Sequence, residues 1–81
     1  MNYKIELSKK AQKFISKLEQ KDQKRILQSI YKLPFSGDIK HLKGLSRYRL
    51  RVGDYRVIYE INNEVLFVNV INIGNRGDVY K

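Results

Sequence analysis

The chain has 81 residues, 42% of them hydrophobic, with no Cys and one His. That length and composition predict one folded domain over 1–81 and exclude a second core or a disordered chain. No apolar run nears the roughly 18 residues of a membrane span, and MNYKIELSKK lacks the apolar stretch of a signal peptide. Without thiols or a second His there is no disulfide framework, no zinc site and no two-histidine ribonuclease centre, so the reading is a cytoplasmic protein with no metal and no cofactor.

Seventeen Lys plus Arg against eight Asp plus Glu leave a net charge of +9. At this size such an excess favours a polyanionic partner, nucleic acid being the commonest, over a merely lysine-rich soluble protein. The first 33 residues hold Arg25 and many lysines, whereas the other five arginines lie between Arg47 and Arg76. A guanidinium offers a planar fork for phosphate and a face for stacking, so its concentration in the second half marks a candidate site.

Residues 2–7 alternate, with Tyr3, Ile5 and Leu7 on one side, and predict a strand. Ser8 stands where an N-cap belongs, before a helix over 9–19 with Ala11, Phe14, Ile15 and Leu18 in one stripe. A second helix over 22–33 presents Ile26, Leu27, Ile30 and Tyr31, with Asp22 as its cap, and Pro34 and Gly37 end it. Residues 34–46 read as a loop pinned by Phe35, Ile39, Leu42 and Leu45 and carrying His41. Strands follow at 47–52, 55–61 and 64–72, joined by two-residue turns at Gly53-Asp54 and Asn62-Asn63. The expected class is α+β, an antiparallel sheet in the order βααβββ with the helical hairpin on one face.

A two-residue turn at Gly53-Asp54 fixes a register. Val52 faces Tyr55, Arg51 faces Arg56, Arg49 faces Ile58 and Arg47 faces Glu60. Tyr48, Leu50, Val52, Tyr55, Val57 and Tyr59 then share the helix side, and the arginines share the other with Ile58. Continuing through Asn62-Asn63 puts Asn69 beside Arg56 and Phe67 beside Ile58. Like charges opposite one another destabilise a sheet by up to about 1 kcal/mol. Two readings remain: a solvated face in which Arg47 pairs with Glu60, or an anion-binding surface. The tyrosines at 3, 31, 48, 55 and 59 read as core or hairpin aromatics, while Tyr80 on a polar tail is a candidate functional residue. Gly44 and Gly74 read as turn glycines. Asp38, Glu64 and Asp78 have no metal or paired-carboxylate spacing, and no P-loop, GxGxxG turn or nucleophile elbow occurs.

The stretches LKGLSRYRLRVGDYRVIYEI (42–61) and NIGNRGDVY (72–80) together resemble the RelE branch of the RelE/ParE toxin superfamily, and the likeness in element order spans nearly the whole chain. That resemblance implies a toxin of a type II toxin–antitoxin system, an endoribonuclease that cuts translated mRNA in the ribosomal A site by 2′-OH attack. It implies a RelB-like antitoxin, mRNA and the ribosome with its 16S rRNA as partners. Carried over, the positions are Arg47, Arg49, Arg51, Arg56, Arg76 and Tyr80; Arg49, Arg56, Arg76 and Tyr80 read as catalytic, and Arg47 and Arg51, together with Lys43, Lys81 and the register neighbours Phe67 and Asn69, as RNA-binding. The best-known members carry lysines where Arg47 and Arg49 stand, one of them a candidate base. An arginine is effectively always protonated, so deprotonating it at pH 7 costs roughly 9 kcal/mol, whereas a tyrosine of pKa about 10 costs roughly 4. Arg49 therefore reads as a phosphate clamp, with Tyr80, Lys43, Lys81 or a ribosomal RNA group as alternative bases. The competing functions are a ParE-like inhibitor of DNA gyrase and a non-catalytic RNA-binding module.

Overall fold

Ser8 does what its position predicts. In a computed structural model describing residues 3–42 and 46–75, its Oγ accepts from Ala11 N at 3.1 Å and caps α1 (Lys9–Ser16). Ala11 and Ile15 are buried beneath this helix, with Phe14 and Leu18 packed at its margin. The second helix, α2 (Gln20–Ile30), follows after three residues and buries Ile26 and Ile30, each contributing about 1.5–3 kcal/mol. Asp22 does not cap it. Glu19 holds the cap position without a side-chain bond, and the Asp22 carboxylate instead accepts from Tyr55 Oη at 3.0 Å, tying α2 to the sheet.

Five strands form one sheet in the order β1-β5-β4-β3-β2: β1 (Lys4–Leu7), β2 (Asp38–His41), β3 (Tyr48–Val52), β4 (Tyr55–Asn62) and β5 (Phe67–Asn75). The α+β class and the predicted succession hold, with two additions. Residues 38–41, expected in a loop, form an edge strand antiparallel to β3, and β1 runs parallel to β5, so the sheet is mixed. The short polar segment DIKH shows one apolar side chain, and its strand state comes from the backbone edge that β3 offers. Both helices cover one face, α1 over β5 and α2 over β3. Leu50, Val52, Val57, Tyr59, Val68, Val70 and Ile73 complete the core from below.

The first hairpin has the predicted register, Val52 opposite Tyr55 through Tyr48 opposite Tyr59. Gly53 takes φ +58°, and a Cβ built there would lie 2.8 Å from the Arg25 Nη2 that crosses the turn. The second hairpin differs. Its connection runs through residues 63–66, where Asn62 Oδ1 accepts from Glu64 N and Val65 N, and Leu66 adopts φ 50°. Arg56 therefore pairs with Gly74 and Ile58 with Asn72, while Asn69 meets Glu60 and Phe67 meets Asn62. The side-chain turn at Asn62 selects this longer loop over the two-residue turn read from Asn62-Asn63.

The register also slips by one between Ile58 and Tyr59, leaving Ile71 without a partner. This bulge lets Val70 and Ile73, three residues apart, both face the helices. Ser8 Oγ donates to the Ile71 carbonyl at 2.6 Å, so the cap of α1 also satisfies the bulge. Gly74 is a buried strand residue rather than a turn glycine. Phe35, expected as a pin, is 69% exposed and packs edge-to-face with Tyr3, and Tyr31 is 63% exposed rather than core. Ile39 does pack on the core.

Candidate nucleic-acid interface

Strand alternation carries the site. Because Leu50, Val52 and Val57 face the helices, Arg49, Arg51 and Arg56 face away, and Arg47 joins them through its contact with Glu60. Cross-strand pairing orders the residues into rows. Asp38, Arg51, Arg56 and Gly74 form one row, and Lys40, Arg49, Ile58 and Asn72 the next. Strands about 4.8 Å apart place Arg51 within one strand of Arg56 and one row of Arg49, the span of a single phosphodiester.

Each guanidinium is held differently. Arg47 Nε lies 3.6 Å from Glu60 Oε2, with both side chains substantially exposed. An exposed pair of this kind is worth about 0–1 kcal/mol and yields readily to a stronger anion. Arg49 is 14% exposed, and its Nη2 donates to Asp38 Oδ1 at 3.1 Å. Its Nε, on the same edge of the fork, is buried and has no acceptor among the described residues. An unsatisfied buried donor costs about 1–3 kcal/mol, which an acceptor placed there recovers. Arg56 Nη1 turns back to the carbonyls of Gly53 at 3.3 Å and Tyr55 at 3.2 Å, which anchors it at the turn. Arg51 is exposed and makes no hydrogen bond or ion pair among the described residues.

Both sequence readings thus describe part of the face: Arg47 does pair with Glu60, and Arg51 stands directly opposite Arg56, with the Asp38 carboxylate on its other side bonded to Arg49 instead. Phe67 and Asn69 are on the same face but at its far end, lining a shallow depression with Ser46, Glu60, Ile61 and Asn62. The expectation that they flank Ile58 and Arg56 is overturned by the longer second hairpin. Arg76, Tyr80, Lys81 and Lys43 lie outside the described residues. Ile58 is buried on this face, apart from the core beneath the helices. Two residues were missed from sequence, Asp38 and Lys40. Alternation in 38–41 places both on the arginine side once β2 is recognised, and Ile39 between them was the available signal.

Beneath the face, burial pushes the Tyr59 phenol up to about 12, with the neighbouring Tyr48 adding to the rise. Its hydroxyl is buried without a partner among the described residues, so it serves packing rather than proton transfer. Among the described residues no group of three or more His, Asp or Glu can hold a metal ion, and no helix is long and apolar enough to cross a membrane.

The sequence matches no curated protein. Among solved structures, it is similar to the archaeal RelE–RelB complex from Pyrococcus horikoshii OT3, at 27% identity and TM-score 0.78, covering 98% of this chain and all of that one. It is similar to the intact E. coli RelBE toxin–antitoxin complex at 26% identity and TM-score 0.74, covering 90% of this chain and 95% of that one. The RelBE2 complex of Mycobacterium tuberculosis, at 17% identity and TM-score 0.76 over 94% of this chain and all of that one, shares the fold. Residues 5–80 match the family described as ParE toxin of type II toxin-antitoxin system, parDE. With that match spanning nearly the whole sequence and RelE structures as its neighbours, the chain belongs to the RelE/ParE superfamily as a toxin of a type II toxin–antitoxin system.

Proposed function

We propose that this toxin is an endoribonuclease acting on translated mRNA in the ribosomal A site, and that a RelB-like antitoxin neutralises it in the cytoplasm. The observation that carries the reading is the Arg51–Arg56 pair, joined by no ion pair among the described residues and flanked by the half-satisfied Arg49 fork, on the sheet face the helices leave bare. Folding has no use for two guanidiniums opposed across a hairpin, whereas a phosphodiester between them turns repulsion into two charge-assisted contacts. In the reaction, cationic groups stabilise the charge developing on the phosphate, the work assigned to Arg56 and, with it, Arg76. Each contributes about 2–4 kcal/mol if water is excluded. Arg47, Arg49 and Arg51 hold the strand, and Tyr80 orients or stacks on the nucleotide. Antitoxin complexes among the structural relatives support such a partner, which should be a segment disordered when free that folds onto the toxin.

Mapping transcript ends in cells expressing the toxin tests the reading. Cuts positioned by the reading frame, requiring ribosomes in a purified system, are expected. The match to the ParE family favours a second reading, inhibition of DNA gyrase, which predicts intact transcripts with a DNA-damage response.

A further inference from the structure

The cationic face holds a carboxylate to which the ribonuclease reading gives no task. Asp38 lies on edge strand β2, its Cα paired with Arg51 and its Oδ1 accepting from Arg49 Nη2 at 3.1 Å. Arg49 and Arg51 face it from β3, Lys40 shares its own strand, and Arg56 continues the same row one strand further. Asp38 is the exposed partner of its ion pair, at 59% against 14% for Arg49. RNA laid over β3 therefore meets the carboxylate at its edge.

We infer that Asp38 is the general base of this site, taking the proton of the ribose 2′-OH. The inference rests on the ribonuclease reading above. That reaction needs a proton acceptor, and the arginines that line the face cannot be one, whereas an ordinary carboxylate is ionised at neutral pH. When the phosphate enters, the Arg49 fork passes to it, Nε gains the acceptor it lacks, and the Asp38 oxygen is released toward the ribose. The O2′–H proton passes to Asp38, the O2′–P bond forms and the P–O5′ bond breaks. The leaving 5′-oxygen takes a proton from water, and Asp38 returns its own to solvent. The products are a 2′,3′-cyclic phosphate and a 5′-hydroxyl end.

Asp38→Asn and Asp38→Glu test this in the ribosome-dependent cleavage assay. Asn keeps an oxygen that can accept from Arg49 but takes up no proton. D38N should lose about 10²–10⁴-fold in single-turnover rate while binding 2′-O-methyl RNA at least as tightly as the wild type, because it removes a negative charge from the face. It should also lose the fall in rate toward low pH, which D38E should retain. A D38N rate and pH profile like the wild type's overturns the proposal and leaves the ribonuclease reading standing. A loss of RNA affinity that accounts for the lost rate also overturns it, marking Asp38 as a structural partner of Arg49. Wild-type toxin that leaves every transcript intact overturns both.

Discussion

Replacing Arg51 with Thr should make the protein more stable and a worse RNA binder. Arg51 is exposed, sits directly opposite Arg56 in the β3–β4 ladder, and makes no hydrogen bond or ion pair among the described residues, the Asp38 carboxylate opposite it on β2 being bonded to Arg49. Like charges opposed in this way cost about 0.2–1 kcal/mol, and Thr suits a strand position better. A gain of about 0.5 kcal/mol corresponds to a rise in Tm of about 2–4 °C for a domain of this size. If Arg51 contacts a phosphate, the log–log salt dependence of single-stranded RNA binding becomes shallower by about 0.7. Thermal melts at low ionic strength and salt-titrated binding to a 2′-O-methyl RNA measure the two halves separately. A destabilised variant would refute the claim that the pair is a folding liability, and an unchanged salt slope would refute the claim that RNA compensates it.

Four further outcomes follow from the same geometry. Arg56→Ala should abolish growth arrest, with cleavage down about 10²–10³-fold, while circular dichroism remains that of the folded protein. Gly53→Ala should cost about 1–2 kcal/mol in urea unfolding, because the turn holds φ +58° beneath Arg25. Ile30→Ala, at a fully buried position facing the sheet, should cost about 2–5 kcal/mol by the same measurement. Tyr59 titrates at about 12 in the fold and at about 10 when unfolded. Below pH 10 both states keep the proton, and above it the unfolded state releases its proton first, so stability should fall between pH 10 and 12. Tyr55, raised chiefly by its hydrogen bond to Asp22, adds to the fall. Tyr59→Phe should flatten the decline and, by removing a buried hydroxyl without a partner, leave neutral-pH stability unchanged or higher.

The arginine face was legible because two local signals agree. Gly53-Asp54 specifies a two-residue turn, and the apolar alternation on either side permits one register without burying charge. The second hairpin was not legible. Asn62-Asn63 looks like a turn of the same kind, but the Asn62 side chain bonds two amides further on and lengthens the loop. The bulge at Ile71 then shifts the rest of β5, and its carbonyl is satisfied by Ser8 from a distant part of the chain. Strand β2 was hidden for a related reason. Four residues with one apolar side chain carry little periodic signal, and their state comes from the open edge of β3. Missing β2 also concealed Asp38, so the carboxylate beside Arg49 emerged only with the fold.

The central claim is that Arg49, Arg51 and Arg56 act together on one phosphodiester. Side-chain Nε–H resonances of the arginines, followed by NMR during titration with a short 2′-O-methyl RNA, test it most directly. The account predicts that these three shift in a single saturable step, Arg49 most of all because its Nε acquires an acceptor. Shifts confined to the helix lysines and Arg25, with the three sheet arginines unmoved, would contradict it.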